Sequence, residues 1–347
     1  MKSHLRLSII IPFYNVEKYI GECLDSVYNQ DIPERDYEVI CVNDCSPDNS
    51  RAIVVEYQQN HSNLVLIEHE KNKMLGAARN TGIRAARGKY VWFVDSDDYI
   101  EKNVLNTLLL TAETNDLEIL QFNLIRFSLN YANFDDYGLI HISTPVISGI
   151  EFLKIKLPFW KKPLNAVSKI YEKSFFVKYN LFFPENVFYE DTYSALLGMI
   201  SATRFKHNDK AIYHYRINPA SIMNSFQGGI KCADKILDCC VCLKLVIDNN
   251  IEKEISDIAE TFLYRVNALR KHIFYLPNKE RIKYFYRIKN VDTNILKGKL
   301  SNFDFFQYKY PNIYIFISCV ISPTLRILRK FKRILVDYVN DFKKVKI

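Results

Sequence analysis

YVWFVDSDD, residues 90 to 98, sets five apolar or aromatic side chains directly before Asp95, Ser96, Asp97 and Asp98. A run that is apolar at every position, not at alternate ones, is what a strand buried on both faces looks like, and such strands belong to parallel sheets covered by helices. Neighbouring carboxylates at its end repel and raise each other's pKa unless a cation joins them. The stretch therefore implies both a fold and a site.

Working outward from it, the same alternation of periods returns. Residues 7 to 13 (LSIIIPF) form a continuous apolar run of strand length, and residues 16 to 30 carry Tyr19, Ile20, Cys23, Leu24 and Val27 at the spacing of a helix face. Residues 37 to 42 and 64 to 68 repeat the strand pattern, and residues 50 to 61 and 75 to 86 the helix pattern. Strands alternating with helical crossovers predict an α/β protein with a doubly wound sheet. Ligands of such sheets bind beyond the carboxyl ends of the strands, so PFYN, NDCSPDNS and DSDD should open onto one edge. A hard divalent cation, manganese or magnesium, would join Asp95 and Asp97 there, since such ions use one or two protein carboxylates and fill their other positions with water and phosphate oxygens. The acids could instead cap the following helix, which suits Asp98 in particular. No GxGxxG or GxxxxGK[ST] follows the first strand, so phosphate must be held by metal and a basic residue, and Arg79 in LGAARNTG is the best-placed cation.

Composition bounds the rest. With 347 residues, 48% hydrophobic and 25% charged, the chain is globular and long enough for one large domain and a smaller one. MKSHLRL passes straight into a strand pattern without a signal-type apolar region, which makes the cytoplasm the expected address. Eight cysteines without a pair of CxxC motifs argue against a zinc ribbon or a disulfide framework, and Cys239, Cys240 and Cys242 are read as helix packing. The net charge of +8 is concentrated in residues 323 to 347, where eight basic residues face Asp337 and Asp341.

Four fragments in order, SIIIPFYNVEKYIGECLDSVYNQ (8–30), EVICVNDCSPDNS (38–50), GAARNTGIRAARGKYVWFVDSDD (76–98) and FYEDTYSAL (188–196), resemble the inverting family 2 glycosyltransferases with the GT-A fold. The likeness is close over residues 5 to 125 and looser over 165 to 222. It implies a Rossmann-like, doubly wound mixed sheet in which Pro12 and Tyr14 line a uracil pocket with Glu17 close by, Asp44 hydrogen-bonds the base, and Arg79 lies near base and phosphates. Asp95-Ser96-Asp97 matches the DxD motif, the first acid facing the ribose or the metal and the second ligating the metal that bridges the diphosphate. The metal stabilises charge on the departing nucleotide diphosphate. Asp191 matches the catalytic carboxylate that takes a proton from the acceptor hydroxyl, with Glu190 orienting the site. Both acids also suit the first turn of the apolar helix that follows, a reading compatible with the first.

Lys169 in VSKIYEKSFF either approaches the donor or pairs an acid, and His214, Arg216 and Ser221 fall in a stretch that resembles a segment closing over the diphosphate. Two departures bear on the pocket. VDDGS of the family reads VNDCS here, and Cys45 lacks the free positive φ of glycine, as does Met74, where many relatives have glycine. The loops they occupy are therefore expected to be shaped differently. The QxxRW signature of processive synthases is absent, so a single addition fits better.

Residues 1 to 225 are read as the catalytic domain, 226 to 322 as a C-terminal helical appendage, and 323 to 347 as a basic amphipathic tail. The nine-residue apolar run 313 to 321 is too short for a bilayer span, which needs about 20 residues. Leu328, Phe331, Leu335, Tyr338, Phe342 and Val345 follow helical spacing among basic residues, a pattern suited to an anionic membrane surface or to packing on protein. Trp160 and its aromatic neighbours would either shape an acceptor pocket or belong to ordinary core.

The expected activity is transfer of one sugar from a nucleotide-sugar donor, expected to be UDP-linked, to a hydroxyl of a glycan or lipid-linked glycan, at the inner face of the membrane and without nucleic acid as partner. A sugar-phosphate nucleotidyltransferase would show a Gly-rich loop after the first strand, and a non-catalytic binding scaffold need not keep Asp95, Asp97 and Asp191.

Overall fold

The structure is a computed structural model that describes residues 5–128, 131–135, 139–155, 165–186 and 190–217. Ser221, Trp160, the helical region 226–322 and the tail 323–347 lie outside those residues.

The chain opens with strand β1 (Leu7–Phe13), buried at every position as its unbroken apolar run requires. Helix α1 (Ile20–Tyr28) turns Ile20, Cys23, Leu24 and Val27 onto the core. It begins later than the periodicity from residue 16 suggests. The backbone N–H groups of Val16 and Glu17 are drawn instead to Ser50 Oγ (3.0 Å) and Asp48 Oδ2 (2.8 Å). Then follow β2 (Tyr37–Asn43), α2 (Ser50–Asn60), β3 (Leu64–Glu68), α3 (Met74–Ala85) and β4 (Tyr90–Phe93). These strands pair in parallel in the order β3-β2-β1-β4, the doubly wound block that the alternating periods predict.

Beyond β4 the sheet becomes mixed. Its second half comprises β5 (Tyr99–Ile100), β6 (Ile119–Ser128), β7 (Tyr131–Asp135), β8 (Lys169–Glu172) and β9 (Phe205–Arg216), with helices α4 (Leu105–Thr114), α5 (Gly149–Lys154), α6 (Lys173–Lys178) and α7 (Glu190–Ser201) between them. The full order is β3-β2-β1-β4-β8-β6-β9-β5, with β7 on β6. Strand β8 runs antiparallel to both β4 and β6, and β6 runs parallel to β9.

Two close approaches set where the site residues end up. A Cβ at Gly82 would lie 2.3 Å from Ile10 Cγ2, so α3 rests directly on β1 and carries Arg79, one turn earlier, toward the carboxyl ends of the strands. Helix α7 lies on the same sheet face as Ile119 and Tyr171, which line Gly198. Asp191, in its first turn, comes within electrostatic reach of Lys169 at the start of β8.

Candidate active site

The loops after β1 and β2 are stitched together by short side chains. Asp48 accepts hydrogen bonds from Ser46 Oγ (2.6 Å), Ser50 Oγ (2.6 Å) and the Glu17 N–H (2.8 Å). These donors outweigh its burial and hold its carboxyl below the usual range. Glu17, an exposed residue, spends its own carboxylate on the Asn49 N–H at 3.0 Å. Pro12 is buried within β1 while the Tyr14 side chain is 48% exposed, a free ring face beside the strand end. Asp44 sits deeper, 4% exposed. Its Oδ1 accepts the Lys73 N–H (2.8 Å) and faces His69 Nδ1 at 2.7 Å, while His69 Nε2 lies 2.9 Å from Thr81 Oγ1. Asp44 thus ties the ends of β2 and β3 to α3. Its partner His69 was not singled out in the sequence, although it is a polar residue directly after a strand.

Cys45 and Met74 do not avoid the backbone region that glycine favours. Both adopt left-handed backbone, at φ 61° and 68°. The conformation that glycine takes freely is kept, at a cost of about 1–2 kcal/mol for a side-chain-bearing residue.

The centre of the site is Arg79, 2% exposed, whose guanidinium joins two distant segments. Nη1 donates to Glu190 Oε1 at 2.6 Å and Nη2 to Asp95 Oδ1 at 2.7 Å, and the group lies 5.2 Å from the Phe183 ring centre. Burial alone would push the guanidinium down, but Asp95, Glu190 and Asp191 overcompensate and hold it above its ordinary value. Arg79 is therefore a buried bridge between the acids. Glu190 is pushed up to about 7, first by burial, with Arg79 opposing and Asp191 adding to the rise. The half-buried Asp191 is also raised by burial and by Asp95, against the lowering pull of Arg79 and Lys169. Lys169 is buried, donates to the Asn165 carbonyl at 2.6 Å, and is pushed down to about 7 by burial, with Asp191 the opposing charge. The hydrogen bond of Lys169 goes to a backbone carbonyl, and Asp191 acts on it as a nearby opposite charge.

Gly76 makes this approach possible. A Cβ there would meet the Pro184 carbonyl oxygen at 2.5 Å and Glu190 Cγ at 3.2 Å. In an unhindered helix Gly→Ala would gain roughly 0.8–1 kcal/mol. Here Gly76→Ala is expected to lose about 1–3 kcal/mol instead, because overpacking displaces Pro184 or Glu190. Urea unfolding checks the sign, and a gain in stability would show that the contact yields.

The acidic turn after β4 divides its side chains. Asp95 and Asp97 remain partly exposed, whereas Ser96 and Asp98 are buried. Arg216, at the end of β9, donates through Nε to the Asp97 carbonyl (2.8 Å) and through Nη2 to Glu22 Oε2 (2.5 Å). It grips the turn from below. His214 stacks on Tyr99 at 4.3 Å and faces Glu101 Oε2 at 3.1 Å, a structural pairing between β5 and β9.

Among the described residues no three His, Cys, Asp or Glu side chains gather into a ready metal cage. Asp95 and Asp97 offer hard carboxylate oxygens from one partly exposed turn, with Asp95 Oδ1 also accepting from Arg79. That donor set fits manganese or magnesium completed by phosphate oxygens and water.

The Glycosyl transferase family 2 model matches residues 8–182. The uncharacterized glycosyltransferase EpsJ of Bacillus subtilis (strain 168) is 36% identical over 219 residues, 62% of this chain and 62% of its own. Poly(ribitol-phosphate) beta-N-acetylglucosaminyltransferase TarS of Staphylococcus aureus (strain Mu50) is 31% identical over 213 residues, 60% of this chain and 35% of its own. The crystal structure of S. aureus TarS 1-349 in complex with UDP-GlcNAc matches with a TM-score of 0.68 at 24% identity, over 84% of this chain and 81% of that one, and shows a shared fold. The chain spans less than two thirds of the length of both curated relatives.

Proposed function

This chain belongs to glycosyl transferase family 2, and on that premise we propose that it moves a single sugar from a UDP-linked donor to a hydroxyl of a bacterial surface glycan or its lipid-linked precursor, with inversion at the anomeric carbon. The observation that carries the reading is the Arg79 bridge: the guanidinium joins the DSD turn at Asp95 to Glu190, the residue before Asp191, which lies 111 positions beyond Arg79 in the sequence.

In this mechanism the exposed ring of Tyr14 and the end of β1 at Pro12 receive the base, with Asp44 holding the loop around it. Asp97 and Asp95 would hold manganese or magnesium, which neutralises charge on the departing nucleoside diphosphate. Asp191 accepts the proton of the acceptor hydroxyl as its oxygen bonds to the anomeric carbon from the face opposite the breaking bond to phosphate. Its place in the first turn of α7 favours the ionised carboxylate, as do Arg79 and Lys169. Glu190, fixed by Arg79, orients that helix start.

TarS acts, by its name, on poly(ribitol-phosphate), and a phosphate-rich surface polymer or a glycan built on lipid is the acceptor class we extend to this chain. The basic tail would hold the enzyme at an anionic membrane surface, where each Lys or Arg contributes about 1 kcal/mol. Among the described residues no helix is long and apolar enough to cross a membrane.

The test is a panel of nucleotide sugars with manganese, with EDTA, and with Asp97→Ala. Turnover of at least one UDP-sugar is expected with manganese. It should drop by several kcal/mol of barrier, roughly 10²-fold or more, in EDTA or in the variant. Full turnover in EDTA overturns the metal's role.

A further inference from the structure

The turn bearing Asp95 and Asp97 is braced from β9, and we propose that Tyr213, acting with Asp98, is a positioning residue that sets how tightly this turn takes a divalent cation. The inference rests on the reading that Asp95 and Asp97 hold that cation.

Tyr213 is fully buried, and its hydroxyl works in both directions. It accepts the Asp95 N–H at 3.0 Å and donates to Asp98 Oδ2 at 2.7 Å. The second Asp98 oxygen accepts the Arg216 N–H at 2.7 Å, and the Asp98 N–H closes the turn on the Asp95 carbonyl at 3.0 Å. Arg216 completes the frame through the Asp97 carbonyl, its guanidinium lying 4.6 Å from the Phe127 ring centre and 5.1 Å from that of Tyr19. The N–H and C=O of Asp95, the C=O of Asp97 and the N–H of Asp98 are all engaged.

The consequence is a division of labour among three adjacent acids. Asp98 is 1% exposed with both oxygens engaged inside the protein, so it braces the turn and does not ligate. Asp95 and Asp97 stay partly exposed on a backbone with little freedom left, and Arg79 holds Asp95 Oδ1 at 2.7 Å. A cation bound by two carboxylates of one turn gains most when their separation is fixed beforehand, since ordering them on binding would cost affinity. Removing the Tyr213 hydroxyl leaves a buried N–H and a carboxylate oxygen each short of a partner, and the turn is freed to move.

The experiment is calorimetry with UDP on the full chain, in manganese and in EDTA, backed by manganese EPR. Tyr213→Phe is expected to bind UDP as wild type does in EDTA, and to lose about 10–100-fold of the manganese-dependent enhancement, recovered by raising manganese. An undiminished enhancement overturns the proposal. So does equal weakening in both media, which would mark a merely structural role. Asp98→Asn keeps an oxygen for the Arg216 N–H and should cost less enhancement than Asp97→Asn. Equal loss would make Asp98 a ligand and overturn the brace. Wild-type protein whose UDP affinity gains nothing from manganese overturns the metal reading itself, and the brace with it.

Discussion

Asp191→Asn is expected to lower turnover by about 10²–10⁴-fold, the usual contribution of a positioned general base, with UDP binding in manganese unchanged. The substitution preserves shape and removes only the ability to take a proton. Asp191 stands at the start of α7, half-buried, within electrostatic reach of Arg79, Asp95 and Lys169. Those neighbours decide whether the carboxylate is charged when the acceptor arrives. Burial and Asp95 push it toward the neutral form, while Arg79 and Lys169 hold the ionised form that a base requires. Steady-state assays paired with calorimetry separate the roles. Retained turnover would remove Asp191 as the base, and lost UDP affinity would place it in donor binding.

Arg79→Met should be the most destabilising change at this edge, by about 3–5 kcal/mol, because it strips the partner from Glu190, whose carboxylate is buried away from water. Glu190 is 5% exposed and already pushed up to about 7 with Arg79 in place. Without the guanidinium it rises further, so the folded variant holds the Glu190 proton more tightly than the unfolded chain does. A carboxyl raised in this way favours the fold at low pH, and that advantage is lost as pH climbs from its ordinary value of 4.5 through the folded one. The deficit relative to wild type should therefore be smaller near about pH 5 than near about pH 8, as read by urea unfolding at both. A pH-independent deficit would mean that the loss comes from packing against Phe183, not from the stranded charge.

These two side chains are close because of paths that local sequence does not encode. The pairing of β1, β2, β3 and β4 was legible because a parallel strand covered on both faces must be apolar throughout, and an amphipathic crossover helix must repeat every three to four residues. YVWFV, LSIIIPF and their neighbours satisfy those rules within a dozen residues. Strand β9 did not announce itself. FKHNDKAIYHYR mixes polar and apolar residues because its polar groups find partners across the sheet, Tyr213 and Arg216 on the acidic turn and His214 on Glu101. The likeness of GAARNTG and FYEDTYSAL to a known family marked Arg79, Glu190 and Asp191 as site residues, yet gave no sign that the first two touch.

What the sequence determined by itself is the chemistry on offer: acids at strand ends, a basic residue opening a helix, an aromatic beside the first strand. Burial rules and periodicity act over a few residues, and so they survive in a linear reading. Only the tertiary structure decided which carboxylates face outward and which are spent inside. That choice depends on hydrogen-bond partners more than a hundred residues away, such as Glu190 for Arg79 and Tyr213 for Asp98. Desolvation penalises a buried charge until such a partner arrives, and the partner's position is fixed by the packed sheet as a whole.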